Sequence, residues 1–450
     1  MPDRRTARPI ATLLGLLALL AAGPAAAQSA MTGGPVRADP MQTVGAELHV
    51  RMEALPKPYA TPAVANQAKQ VERPASEPLR APRGFTVTLF RDHVENARNL
   101  LVLPNGDVLV AQQRPGSLTL LRDGDGDGQA ETARVWAEGF DRPFGLAYVG
   151  GSRGGTVLVG DLDGVWQLPW TAEGGTAGQR RRLTPQGAFG PRGGHNTRSV
   201  AVAPDGRHFY VGIGSAGNIG VEPEPRATIQ EFRIDGTGQR TIASGLRNPV
   251  GLAFKPGTND LYTVVNERDG LGDQLVPDYL TLVTAGGFYG WPYSYIGANP
   301  QPDFADKRPD LVKAALVPGL LFQAHSAPLG LVFGDGTHFP ERYRQGAFVA
   351  LHGSWNRARP TGYAVVFAPF DKGRPTGTYE TFVTGFRLGA GPDADREEDE
   401  TPQVWGRPSG LAVATDGALL IADDSGTVWR IAYAAAGRTA EPGETAPAKP

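Results

Sequence analysis

The chain has 450 residues, with 44 Lys and Arg against 46 Asp and Glu and a formal net charge of -2. A nearly neutral chain lacks the strongly basic face that nucleic acid demands, so any charged ligand must be bound by a local cluster. The sequence contains no cysteine, which excludes disulfides, a lipidated Cys and a catalytic thiol.

The N-terminus runs Arg4-Arg5, an apolar stretch from Ile10 to Ala22, then Pro24-Ala25-Ala26-Ala27-Gln28. This charged, apolar, small-residue order reads residues 1–27 as a secretory signal peptide cleaved near Ala27. The apolar stretch is short for a membrane span and nothing later is longer, so the reading is a periplasmic or secreted protein without stable membrane insertion. Residues 28–82 are rich in Pro and Ala and poor in pattern, as in an arm lying on a surface. Length alone accommodates about three domains. The 60 glycines, the scarce helical periodicity and the many short β runs point instead to one all-β architecture over residues 83–433. The Ala, Pro and Glu-rich tail, 434–450, is expected to be disordered.

From Gly84 onward one unit recurs six times: an opening residue set, an apolar strand, a turn and a second apolar strand. The openings are Arg98-Asn99-Leu100, Arg142-Pro143-Phe144-Gly145-Leu146, Arg198-Ser199-Val200, Arg247-Asn248-Pro249-Val250-Gly251-Leu252, Ala327-Pro328-Leu329-Gly330-Leu331 and Arg407-Pro408-Ser409-Gly410-Leu411. The second strands are expected at Val108 to Ala111, Thr156 to Val159, His208 to Val211, Leu261 to Val265, Ala347 to Leu351 and Ala418 to Ala422. Turn sets such as Pro104-Asn105-Gly106, Pro204-Asp205-Gly206 and Thr415-Asp416-Gly417 join them tightly. Six small antiparallel sheets repeated radially make a six-bladed β-propeller. The long spacings before the last two units imply insertions there.

In an antiparallel pair, the start of the first strand and the end of the second share one edge. With the first strand innermost, Arg142, Arg198, Arg247 and Arg407 converge on the mouth of the central channel. Asp161, Asp163, Ser215, Asn266 to Asp269, His352, Asp423 and Asp424 fall there too. Such a rim either binds a ligand with several carboxylates or phosphates, or pairs its arginines with acids of neighbouring blades. His195, in Gly193-Gly194-His195-Asn196-Thr197-Arg198, stands on a mouth loop where a neutral imidazole can take a proton from a hydroxyl. His325 and His352 fall at rim positions as well, without the spacing of a zinc motif. Asp123-Gly124-Asp125-Gly126-Asp127-Gly128 has the alternating carboxylates and the sixth-position Gly of a calcium loop, with Glu131 at the ninth position and Arg134 at the twelfth. It is read either as an EF-hand-like calcium site between strands or as a solvated acidic hairpin. No Walker loop is present.

At these residues the chain resembles the soluble PQQ-dependent sugar dehydrogenases (PQQ, pyrroloquinoline quinone), and most closely their L-sorbosone dehydrogenase branch. The similarity is carried by Gly194-His195-Asn196-Thr197-Arg198, Gly245-Leu246-Arg247-Asn248-Pro249-Val250-Gly251, Gly286-Gly287-Phe288-Tyr289-Gly290-Trp291-Pro292 and His352-Gly353-Ser354-Trp355-Asn356-Arg357. It extends from about Gly84 to Tyr433. The resemblance implies a quinoprotein that oxidises a sugar, a sorbosone-like aldehyde or an alcohol and passes electrons to an external quinone-like or cytochrome-like acceptor. His195 would be the general base. Arg247 and Asn248 would hold the quinone and Arg407 its carboxylates. By position a calcium ion would fall at Asp269 and Gly270, with Asp273 near.

Three departures mark this chain. Glu267-Arg268-Asp269-Gly270 stands where glucose-oxidising relatives have Glu-Gln-Gly-Pro, which places Arg268 in the cofactor contact. His325 replaces a small hydroxyl residue that touches the cofactor. His352-Gly353 stands where those relatives have a lysine, and Arg357 is the expected replacement for its charge. Two alternatives stay open: a calcium-dependent lactonase or esterase-type propeller hydrolase, and a non-catalytic sugar-binding propeller to which Trp355 and Trp405 would offer aromatic surface.

Overall fold

The computed structural model describes residues 39–75, 78–389 and 401–434. The expected signal peptide and all of the C-terminal tail beyond Ala434 lie outside them.

The second strand of the first repeat is a short unbroken apolar run, Val108-Leu109-Val110-Ala111. It forms a strand buried on both faces. Alternate side chains point to opposite sides of a strand, so Val108 and Val110 pack toward the last blade while Leu109 and Ala111 pack toward the second. The same division holds between every pair of neighbours, giving six apolar layers between six sheets. The protein is therefore a six-bladed β-propeller. Its repeats cannot bury both faces alone, so the ring is stable only when closed.

Blade 1 is Ala97–Val102, Val108–Gln112, Ser117–Arg122 and Thr132–Glu138, antiparallel in chain order. Blade 2 follows with Gly145–Gly150, Gly154–Gly160, Val165–Thr171 and Arg181–Arg182. Blade 3 has Val200–Val202, His208–Ile213, Thr228–Arg233 and Arg240–Ser244. Blade 4 has Pro249–Phe254, Leu261–Val265, Pro277–Leu282 and Leu320–Ala324. Blade 5 is built from Pro328–Phe333, Gly346–Leu351, Ala364–Asp371 and Tyr379–Val383. Blade 6 takes Pro408–Val413, Leu419–Asp423 and Thr427–Tyr433 from the C-terminal end and its outer strand, Phe85–Arg91, from the start of the domain. That pairing closes the ring and joins residues some 340 positions apart, from Phe85↔Tyr433 to Arg91↔Val428. The repeat pattern placed every inner pair correctly but did not reveal this closure.

Neighbouring inner strands approach closely at the axis. A Cβ on Gly145 would collide with the Arg198 carbonyl, and one on Gly410 would stand 2.6 Å from Asn99 Cα, which explains the Gly-Leu step repeated in the openings. Four inner strands also lose register just after their opening residue, at Ala97/Asn99, Pro249/Leu252, Pro328/Gly330 and Pro408/Leu411. Such irregularities re-aim side chains and are common beside functional sites.

The insertion expected before the fifth unit, after Leu282, climbs the outer edge of blade 3 by parallel pairing of Gly287–Phe288 with Ala243–Ser244. The arm, described from Asp39, is laid on the propeller: Glu47–Leu48 adds to the outer edge of blade 5, and Lys69–Gln70 runs parallel to Gln403–Val404. No helix among the described residues is long and apolar enough to cross a membrane.

Candidate functional site

First strands begin, and second strands end, at the mouth. The loops that lead into first strands therefore share one face with the loops that follow second strands, and His195, Arg247, Asn248, Asp269, His325, His352, Arg357 and Arg407 all lie on it. His195 sits in the long loop entering Val200–Val202. Its backbone N–H and its Nδ1 both face the Ser215 carbonyl, at 3.1 and 2.9 Å. A carbonyl only accepts, so Nδ1 carries the proton and Nε2 keeps its lone pair. Burial, reinforced by the Arg247 charge, brings the imidazole down to about 4. It is neutral at pH 7, the form a general base requires.

Next to His195, Asn248 is buried and its Oδ1 has no partner. Gly214 separates the two: a Cβ there would collide with Asn248 Oδ1 and stand 2.7 Å from His195 Cβ. The neutral imidazole and an unpaired amide oxygen thus pack together over Gly214.

Arg247 is held from several sides. Its Nε donates to the Asn218 carbonyl at 3.0 Å, Nη2 to Asn218 Oδ1 at 3.0 Å and Nη1 to the Glu267 carbonyl at 2.8 Å, while Asp269 Oδ2 lies 3.6 Å away. Asn218 also accepts from the Asp269 N–H and donates to the Asp269 carbonyl, and its own carbonyl accepts from Trp291 Nε1. Asp269 Oδ1 accepts from Asn356 Nδ2 at 2.5 Å and stands 3.3 Å from His325 Nδ1. Burial raises the Asp269 carboxyl, but His325, Arg247 and Asn356 outweigh it and hold it below the ordinary value. For His325 burial works downward, and Asp269 with Asp278 overcomes it, so the imidazole is raised. Asn218 and Asn356 were missed in the sequence; no local pattern distinguishes an Asn that bridges two loops from one in a turn.

A second cluster occupies the mouth between blades 5, 6 and 1. His352 Nε2 lies 3.0 Å from Arg98 Nη1 and 2.9 Å from Asp424 Oδ2. Arg407 donates through Nε to the His352 carbonyl at 3.1 Å and through Nη2 to the Gly353 carbonyl at 2.8 Å. Burial, followed by the Arg407 charge, brings His352 down to about 3. Burial also lowers Arg98, and Arg407 and Arg114 add to that effect against Asp424. Arg98 Nε and Asp424 Oδ1 are buried without partners. The guanidinium groups of Arg98 and Arg407 thus both act on the Asp424 carboxylate.

Other expected residues face elsewhere. Arg268 donates to Gln301 Oε1 and to the Asp269 carbonyl. Arg357 turns to the Ala324 carbonyl at 3.2 Å and to Asp273 at 3.7 Å, so its charge is not at His352; Arg98 is there instead. Asp273 accepts from the Ala358 N–H at 2.6 Å and faces Arg357, which leaves it poorly placed to join Asp269 and Gly270 at a cation. Trp355 is 49% exposed, whereas Trp405 is 3% exposed and donates to the Gly385 carbonyl inside the layer between blades 5 and 6. Trp405 therefore offers no surface at the mouth.

Among the described residues, the gathered carboxylates are those of Asp123, Asp125, Asp127 and Glu131, whose candidate ligand atoms lie within 4.8 Å of one another. This loop joins the third and fourth strands of blade 1, on the face opposite the mouth. Gly150-Gly151-Ser152-Arg153-Gly154 has the spacing of a serine nucleophile elbow, but it is an exposed hairpin turn on that same opposite face.

Residues 79–277 and 298–434 match the model of the TrAA12-like family. A pyrroloquinoline quinone-dependent pyranose dehydrogenase of Coprinopsis cinerea is 28% identical over 347 residues, covering 65% of this chain and 43% of that protein. An uncharacterised protein of Borreliella burgdorferi is 33% identical over 243 residues, 53% of this chain and 61% of that one. The chain thus spans less than two thirds of the length of these relatives. The holo PQQ domain of the Coprinopsis pyranose dehydrogenase superposes with a TM-score of 0.66 at 22% identity, covering 80% of this chain and 98% of that domain. A calcium structure of the Trichoderma reesei AA12 enzyme gives 0.65 at 19% identity, with 81% and 99% covered. The PQQ-bound aldose sugar dehydrogenase of Streptomyces coelicolor gives 0.53 at 16%, with 78% and 99% covered. These superpositions establish the propeller, and the match over most of the sequence places the chain in the TrAA12-like family.

Proposed function

We propose that this protein is a PQQ-dependent oxidoreductase that oxidises a sugar, or a sorbosone-like aldehyde or alcohol, at the propeller mouth. The observation that carries the reading is the neutral His195, its Nδ1 bonded to the Ser215 carbonyl, packed at Gly214 beside the buried Asn248 whose Oδ1 has no partner. The residues present fit a group bearing several carboxylates: Arg98 and Arg407 stand together at the mouth, and Arg98 Nε has no partner. The Asn248 amide N–H₂ and the Arg247 charge would face the quinone carbonyls; the unpaired Asn248 oxygen, an acceptor, would not. Arg407 and Arg98 would bind the carboxylates, Arg98 taking the place first given to Arg357. When bound, the quinone supplies the hydride acceptor. His195 Nε2 takes the hydroxyl proton as the substrate carbon loses hydride, so a carbinol leaves as a carbonyl, and an aldehyde would enter as its hydrate and leave as the acid. Asn218 and Asp269 keep Arg247 in place.

Calcium fits less well at Asp269 and Gly270 than at the Asp123 to Asp127 loop, where carboxylates are gathered. We assign the loop a structural role, since it lies on the face opposite the mouth. The hydrolase reading calls for several acids around the axis, and the mouth is arginine-rich. Export, the L-sorbosone-like branch and a quinone-like or cytochrome-like electron acceptor remain parts of this proposal. The test is to add PQQ and calcium to cofactor-free protein and follow the cofactor spectrum, with dye reduction on aldoses, sorbosone and simple alcohols. A saturable spectrum with dye reduction is expected. Absence of PQQ binding would sink the assignment.

A further inference from the structure

The loop after the second strand of blade 4 and the loop after the second strand of blade 5 carry much of the site between them. They meet twice. Near the axis, Asn356 bonds Asp269 and His325. Farther out, the Ala358 N–H donates to Asp273 Oδ1 at 2.6 Å, with Arg357 Nε 3.7 Å from the same carboxylate.

A third connection comes from a distant part of the sequence, the N-terminal arm. Tyr59 N–H donates to the Leu271 carbonyl at 2.7 Å, and Thr61 Oγ1 accepts from the Asp273 N–H at 2.9 Å. Between these two contacts the arm passes so close to Gly272 that a Cβ there would stand 2.9 Å from the Thr61 carbonyl, at a φ of +126° that itself favours glycine. The carbonyl of that same Gly272 faces His325 Nε2 at 3.3 Å. Five residues on, Asn66 N–H donates to the Trp355 carbonyl at 2.8 Å and Asn66 Nδ2 to the Ala358 carbonyl at 3.0 Å. The arm is anchored on both sides of this crossing, by Glu47–Leu48 on blade 5 and Lys69–Gln70 along Gln403–Val404.

We propose that residues 59–66 form a clasp that joins the mouth loops of blades 4 and 5, with Thr61 and Asn66 as positioning residues for Asp269, His325 and Asn356. Two loops without regular structure would otherwise hold those side chains by a few local bonds, and such loops open at low free-energy cost. Bonding each loop to a third segment, itself fixed at both ends, removes that freedom before any ligand arrives. The clasp lies outside the residues matched by the family model, which begin at 79, so its contribution belongs to this chain's own arm. The consequence for function rests on the quinone reading; the clasp itself does not.

The test uses the full cofactor-free protein and amide hydrogen exchange. In the double variant Thr61→Val with Asn66→Leu, amides of 269–273 and 355–358 are expected to exchange at least about tenfold faster while strands of blades 1–3 are unchanged. Thr61→Ser, which keeps the hydroxyl, should restore slow exchange at 269–273 in an otherwise unmodified arm. A PQQ titration of the same variants should then show weaker binding at an unchanged melting temperature. Unaltered exchange in both loops would overturn the clasp. Accelerated exchange in a protein that binds no PQQ in any form would uphold the clasp and overturn the quinone reading.

Discussion

The two sides of the mouth begin from the same residue and use it differently. On the blade 3 to blade 5 side, Arg247 is satisfied by three carbonyls, Asn218 and Asp269, and the network runs on through Asn356 to His325. On the blade 5 to blade 1 side, Arg98 and Arg407 act on the carboxylate of Asp424, the Arg114 charge acts on Arg98, and His352 Nε2 lies between Arg98 and Asp424. On the first side Arg247 is bonded by protein groups and fixes geometry, leaving the buried Asn248 oxygen without a partner. The second has an excess of positive charge, and an anion arriving there would relieve it. An arginine at a repeated position is thus a repeated structural device, and its neighbours decide whether it binds.

The largest expected effect lies on the first side. His195→Ala should lower turnover by roughly 10²–10⁴-fold while PQQ still binds, as read by steady-state rates beside a spectroscopic titration. Retained turnover would remove His195 as the base. In the unmodified protein the imidazole, lowered to about 4, stays neutral down to that pH. The acidic limb of kcat/KM should therefore fall near pH 4, well below the ordinary histidine range.

Next come the cations of the other side. Arg407→Ala and Arg98→Ala should each weaken PQQ about 10- to 100-fold, the worth of a charge-assisted hydrogen bond of about 1.5–3 kcal/mol, without moving the rate at saturation. If neither changes affinity, the contrast between the two sides fails.

A smaller effect separates them by acid stability. Burial raises Asp424, but His352, Arg98 and Arg407 outweigh it and hold it at about 2. A carboxyl depressed on folding contributes stability above its unfolded value near 4, and that contribution is lost as pH falls toward 2. Asp424→Asn should cost about 1–2 kcal/mol at neutral pH and flatten this loss, as measured by urea unfolding from pH 5 to 2.5. The smallest effect lies opposite the mouth: chelating calcium, or Asp125→Asn, should lower the melting temperature by about 2–4 °C and leave PQQ affinity unchanged.

Much of the fold was legible because its signals are local. The inner strand pairs could be read from apolar runs and the Pro-Asn-Gly or Asp-Gly turns between them. His195, Arg247, Asn248 and Arg407 could be singled out because each stands in a motif at a strand opening. Arg98 was seen as an opening residue yet not as a partner of His352, since blades 1 and 5 become neighbours of blade 6 only when the ring closes. Arg357 follows Asn356 directly, but the loop turns its guanidinium toward Ala324 and Asp273. Trp405 looked available until the layer between blades 5 and 6 was filled.

The sequence by itself determined the strand repeats, their turns, and the set of residues placed at the mouth, because these depend on alternation and spacing within a few residues. Only the tertiary structure decided the closing strand Phe85–Arg91, the course of the arm over the mouth loops, and which arginines are satisfied and which are left in excess. Those outcomes depend on contacts between segments that chain order keeps far apart, and no local pattern encodes the charge a side chain will meet across a closed ring.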